Sequence, residues 1–221
     1  MNYPSHLPEK TLHYFFVADR SGSMADRIDE VRYELNHHFL ELAEVSRSSN
    51  TRVKVSFLQF DTQLDWVCTG LLVDQMSALN PKTFFARGST ALFDAIGQAI
   101  ERASYQVGTE LDPEKEQVLI MVFTDGMENA SRKFRGDSFR EILEAHQHLP
   151  GWSITFTGCD PEVFNLMAHN AFKSDRMVSY QANEKVEAVK NMSDFVKEHV
   201  EKRSNFDKVA FTKHEDTDHA K

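Results

Sequence analysis

The chain has little cysteine: Cys68 and Cys159 are its only two among 221 residues. They form no Cys-x-x-Cys motif and no evident disulfide framework, which removes a disulfide-built fold from consideration. Both lie in strand-like stretches and read as buried free thiols. No apolar run is long enough to span a bilayer, and no charged-then-apolar leader opens the sequence, so the cytoplasm is the expected compartment. Runs of lysine and arginine are missing too. With a net charge of −9, neither a nucleic-acid backbone nor a membrane is expected as the main partner. There is no internal repeat, no Walker loop, no Gly-x-Ser-x-Gly elbow and no Gly-x-Gly-x-x-Gly after a strand.

What is present suits one α/β domain with a full core: 41% hydrophobic and 27% charged residues. Unbroken apolar runs at 12–18 and 118–123 predict strands buried on both faces, central neighbours in a parallel sheet. Alternation over 53–60, a short turn and a second β-like run over 64–73 predict an antiparallel hairpin whose second strand is an edge. Strands are also expected at 152–157 and 177–180. Helical spacing marks 25–47, with Ile28, Val31, Leu35, Phe39, Leu42 and Val45 as one buried stripe. Further helices are expected at 91–105, after a Ser138–Glu141 capping box, at 161–169 after Asp160-Pro161, and at 184–202. Alternating strands and helices give a Rossmann-like, doubly wound, mostly parallel six-stranded sheet with one antiparallel edge strand and helices on both faces. Residues 1–11 read as an extended lead-in, 12–203 as a single domain and 204–221 as a charged tail expected to fray.

The chemistry gathers in three loops. The first strand stops at Asp19 and is followed by Ser21 and Ser23 at alternate positions, with Gly22 between them. Carboxylate plus hydroxyl oxygen suits a hard cation such as Mg²⁺. Ser23 and Asp26 also spell Ser-x-x-Asp, so a plain capping box, with Asp19 as a turn residue, competes for the same residues. The second loop carries Thr90, in Arg87-Gly88-Ser89-Thr90. The third carries Asp125, in Thr124-Asp125-Gly126. If the first and third strands are neighbours, the loops share one edge of the sheet, where open α/β sheets bind ligands.

Asp-x-Ser-x-Ser after an apolar strand, Gly-x-Thr before a helix and Thr-Asp-Gly ending another apolar strand together resemble the von Willebrand factor A (VWA) domain. The resemblance covers roughly residues 10–203, and its stand-alone intracellular bacterial and phage members are the nearest in kind. It implies a metal-ion-dependent adhesion site (MIDAS) in which Asp19, Ser21, Ser23, Thr90 and Asp125 hold Mg²⁺, with Mn²⁺ or Ca²⁺ as other candidates. Neutral hydroxyl ligands leave such an ion electrophilic, and an open coordination position accepts a Glu or Asp of a protein partner. The implied function is metal-dependent protein binding rather than turnover. Some members of this kind work beside AAA+ ATPases or in stress-response clusters. Arg20, Arg87, Glu128 and Asn129 flank the loops as candidate rim residues for the partner.

An enzyme is the competing class. Metal-dependent phosphotransferases of the haloacid dehalogenase type place an Asp-x-Asp loop after the first strand, but here Ser21 replaces the second Asp. A scaffold with a purely structural or decayed metal site is a third possibility. The histidines, including His37-His38 and His146-x-His148, lack the i, i+4 spacing of helical ligand pairs and are expected to be solvated or capping.

Overall fold

The computed structural model describes residues 10–49, 51–158, 165–167, 169, 177–179 and 184–202. β1 (Lys10–Asp19) is followed by a 3₁₀ turn (Gly22–Asp26) and α1 (Ile28–Ser48). β2 (Thr51–Phe60) and β3 (Leu64–Leu72) form the hairpin, then come α2 (Leu92–Val107), β4 (Glu116–Thr124), α3 (Asp137–Gln147), β5 (Trp152–Gly158), the short β6 (Met177–Ser179) and α4 (Lys185–Lys202). The sheet order is β3-β2-β1-β4-β5-β6. Among the described residues only β2 and β3 pair antiparallel. β1 lies between β2 and β4, parallel to both, with Ala18 opposite Phe123. The two unbroken apolar runs are therefore central neighbours, as their two-sided burial requires.

Alternation along β1 divides the core. Leu12, Tyr14, Phe16 and Ala18 face a cluster that includes Val31, Leu35 and Phe39 of α1 and Val189, Met192 and Val196 of α4. Phe15 and Val17 face α2 and α3, against Ile96, Ile100, Phe139 and Leu143. Two glutamates of α1 meet α4: Glu41 accepts from Lys197 Nζ at 2.8 Å, and Glu34 lies 3.9 Å from Lys190.

The strand at 118–123 starts two residues early because Glu116 and Gln117 already pair with Thr11 and Leu12, which also draws the end of the expected lead-in into β1. The Ser138–Glu141 capping box does not form. Ser138 sits inside α3, and its hydroxyl bonds back to the backbone of Arg135, at 2.9 Å both as donor and as acceptor. Cys68 is a free, half-buried thiol with Sγ 3.3 Å from Met76 Sδ. Cys159, the 160–161 helix start and the 204–221 tail lie outside the described residues.

His38 corrects the expectation of solvated histidines. It points into the core, edge-on to Tyr14 at 5.7 Å and against Phe16 and Phe39. Neither ring nitrogen has a hydrogen-bond partner among the described residues. The helical stripe explains why: His38 lies three residues after Leu35 and four before Leu42, on the buried side of α1. Burial, reinforced by the Lys197 charge, lowers its pKa to about 3. The unfolded chain binds a proton below about pH 6.5 and the folded chain does not, so stability is lost as pH falls. The loss is about 3 kcal/mol at roughly pH 4.5. His38→Leu should flatten the decline in urea midpoint between these pH values; equal slopes in the two proteins would refute this.

Candidate metal centre

The three motif loops meet at the carboxyl end of β1 and β4. Register brings Asp19 beside Thr124, whose Oγ1 donates to Asp19 Oδ2. Asp19 Oδ1 accepts the Ser21 backbone N–H at 2.6 Å. Ser23 does not cap a helix. It lies in the 3₁₀ turn, its Oγ donates to Asp125 Oδ1 at 2.7 Å, and it is 3.0 Å from Ser21 Oγ. Gly126 locates the third hydroxyl: a Cβ there would lie 3.0 Å from Thr90 Oγ1, 3.1 Å from Ser23 Oγ and 3.5 Å from Ser21 Oγ. Three hydroxyl oxygens thus converge beside Gly126, with Asp125 bonded to one of them and Asp19 bonded to the backbone N–H of Ser21.

Backbone bonds fix the second loop against the first. Gly22 N–H donates to Gly88 O at 3.1 Å, and Arg87 N–H donates to Arg20 O at 2.9 Å. Gly88 adopts φ +68°, and a Cβ there would come 2.8 Å from Thr62 Oγ1, so only glycine suits this turn. The third loop is tied to the second by Asn129, whose Oδ1 accepts Thr90 N–H at 2.8 Å while its own N–H donates to Thr90 O at 3.0 Å.

Of the four flanking residues expected at the rim, Arg20 turns away from it. Arg20 is buried, its Nε donating to Asp61 Oδ2 at 2.8 Å and its Nη2 to Asp65. Arg87 Nε shares the same Asp61 oxygen at 2.7 Å and its Nη2 reaches Asp65 at 3.2 Å. Burial opposes the Asp61 charge, but the two arginines and the Gln63 N–H outweigh it and hold its pKa below the usual carboxylate value. Glu128 serves the backbone. It accepts N–H bonds from Phe93, at the start of α2, and from Ala130 and Ser131, and also the Ser131 hydroxyl. Of the four candidates only Arg20 is buried; Arg87 and Glu128 are half-buried and Asn129 is exposed, and each of these three also positions a loop.

Sequence reasoning missed three residues. Asp94 of α2 accepts the N–H groups of Arg132, Lys133 and Phe134, clamping the third loop to the helix. Thr124 holds Asp19, as above. Lys185, at the start of α4, donates from Nζ to Ser23 O at 2.9 Å and to Asp26 Oδ1 at 2.7 Å, and lies 2.7 Å from Asp125 Oδ2. One faint signal existed for Lys185, a cation in a first helical turn, where the helix dipole disfavours it.

Asp19 is fully buried, and burial pushes its pKa up to about 6 against the opposing hydrogen bonds from Thr124 and Ser21; the Asp125 charge raises it further. Two carboxylates and three hydroxyls form an all-oxygen donor set that suits a hard divalent cation. Among the described residues no group of three or more His, Cys, Asp or Glu side chains could hold a metal.

Neither the protein-family models nor the curated proteins yielded a match to this sequence. Solved structures did. The vWF domain of the type V pili tip protein Mfa5 from Porphyromonas gingivalis is similar over 90% of this chain and 99% of that one, with a TM-score of 0.59 and 9% identity. The chain has the von Willebrand factor A fold. This VWA-fold chain is also similar to the pilus adhesin SpaC from Lactobacillus rhamnosus GG, with a TM-score of 0.61 and 13% identity over 86% of its length; it spans 31% of that adhesin. Proximal thread matrix protein 1 from the mussel byssus, in a form whose MIDAS motif is occupied by zinc, matches 85% of the chain with a TM-score of 0.54 and 14% identity; the chain spans 46% of it. No helix among the described residues is long and apolar enough to cross a membrane.

Proposed function

We propose that this chain is a Mg²⁺-dependent protein-interaction module. Asp19, Ser21, Ser23, Thr90 and Asp125 hold the ion, and a Glu or Asp of a protein partner completes its coordination. The observation that carries this reading is the convergence of the three hydroxyls beside Gly126, next to Asp125 and Asp19. When bound, the ion supplies a Lewis-acidic point for a carboxylate. Neutral hydroxyls keep its charge high, while Asp19 and Asp125 retain it. The domain spans 12–203 between the lead-in and the tail and works in the cytoplasm, in a bacterial or phage complex with an AAA+ ATPase or stress-response proteins. Mn²⁺ or Ca²⁺ can replace Mg²⁺ in this oxygen set, although a compact site favours the smaller ions.

The phosphotransferase reading has less support. Its Asp-x-Asp loop needs a second carboxylate two residues after the first, and Ser21 stands there, with its backbone N–H donated to Asp19 Oδ1.

The test is a pull-down from native lysate with Mg²⁺, comparing wild type, Asp19→Ala and excess chelator. A band lost in both controls is expected. A band that persists in either would refute metal-dependent binding at this site.

A further inference from the structure

Lys185 occupies an unusual place for a lysine. Its side chain is 5% exposed, and its ammonium group lies among Asp125, Asp26 and the Ser23 carbonyl. The ammonium sits 2.7 Å from Asp125 Oδ2, while Oδ1 of the same carboxylate takes the Ser23 hydroxyl. It comes from α4, about 160 residues along the chain from the loop it holds.

We propose that Lys185 is the built-in counter-cation of the metal centre: it holds Asp125 and the first loop in place without a metal, and its charge weakens metal affinity. This rests on the metal reading above. The charges facing the ammonium are those of Asp125 and Asp26, and Asp26 is 63% exposed, so water screens its contribution. Asp125 is 3% exposed, so its pairing with Lys185 is little screened. A divalent ion bound beside Asp125 shares that carboxylate with a fixed positive charge. Like charges at this range in a partly dry site repel, so metal affinity falls below what the oxygen set alone would give. The same charge leaves the loaded site more positive, which favours an anionic side chain on the partner. Lys185 is thus a positioning residue that exchanges some metal affinity for affinity toward carboxylates.

The test titrates the full chain with Mg²⁺ and with Mn²⁺ calorimetrically, and follows thermal unfolding in chelator. Lys185→Met and Lys185→Gln remove the charge; Lys185→Arg keeps it. Without metal, both neutral variants should unfold at lower temperature than wild type, because Asp125 and Asp26 lose their cation. With metal, both should bind about tenfold more tightly than wild type, the order expected for one repelling charge, and Lys185→Arg should stay close to wild type. Should a neutral variant fail to fold in chelator, its midpoint measured across a Mg²⁺ series gives the same affinity by linkage. Unchanged or weaker metal binding in the neutral variants would overturn the counter-cation role. If wild type bound neither ion, the metal reading would fall, and this proposal with it.

Discussion

Asp19→Asn is expected to remove the metal response of the protein while sparing its fold. The wild-type carboxylate is fully buried and holds two internal hydrogen bonds. The amide keeps the shape and an acceptor oxygen for the Ser21 N–H, but not the negative charge that retains a cation. Loss of one of two charged ligands should weaken Mg²⁺ binding by at least about 100-fold, and calorimetric titration measures it. The stability effect has the opposite sign. The folded Asp19 pKa of about 6 lies above the ordinary carboxyl value of 3.8. Its contribution to stability is therefore greatest below the unfolded value and is lost as pH rises through about 6. At neutral pH the metal-free wild type carries a buried, uncompensated charge worth about 3 kcal/mol at most. In chelator the variant should thus unfold at the same temperature as wild type or higher; in Mg²⁺ it should not gain the stabilisation that wild type does. Acid should act on wild type as the mutation does, since protons and metal compete for Asp19 below about pH 6. A variant that still tightens with Mg²⁺ would place the ion elsewhere.

Arg20→Met should destabilise the fold by about 3 kcal/mol, because it breaks a buried ion pair. The guanidinium and Asp61 are each 2% exposed and 2.8 Å apart. Removal of the cation leaves a buried carboxylate with less compensation, which costs more than the pair itself contributes. Arg87 still reaches the same Asp61 oxygen, and Gln63 N–H still donates to Oδ1, so the loss falls at the low end of the range for a broken buried pair. Urea denaturation measures it. The double variant Arg20→Met, Asp61→Asn should recover part of the loss, because the stranded charge is gone. A single-variant cost below about 0.5 kcal/mol, the usual size of a surface change, would show that the pair is not structural. The effect should reach the second motif loop as well, because Arg20 O accepts the Arg87 N–H that fastens it.

The site was more legible in the sequence than its support. Asp19, Ser21 and Ser23 are consecutive alternate residues after an apolar strand, and Asp125 ends another, so strand adjacency alone brings them together. Thr90 needed only a helix that returns the chain to that edge. Arg20 was misjudged as a rim residue because side-chain direction is decided by distant partners. Arg20 turns inward since Asp61 and Asp65, some 40 residues on, wait beneath it. Glu128 turns to the start of α2, where unpaired N–H groups need an acceptor. No local pattern encodes either choice.

Periodicity and strand-end chemistry, by themselves, determined the parallel sheet, its antiparallel edge, the buried stripe of α1 and the five oxygen-bearing residues at one edge. These follow from spacing, since burial repeats every two or about 3.6 residues regardless of partner. Tertiary structure alone decided that His38 is buried without a hydrogen-bond partner among the described residues, that Arg20 is a buried tie and not a rim charge, and that Lys185 of α4 ties the first motif loop to Asp125. Each depends on a contact between groups remote in sequence. Whether a polar side chain is solvated, buried or paired is set by the free energy of the assembled surroundings, which exist only once the chain has folded.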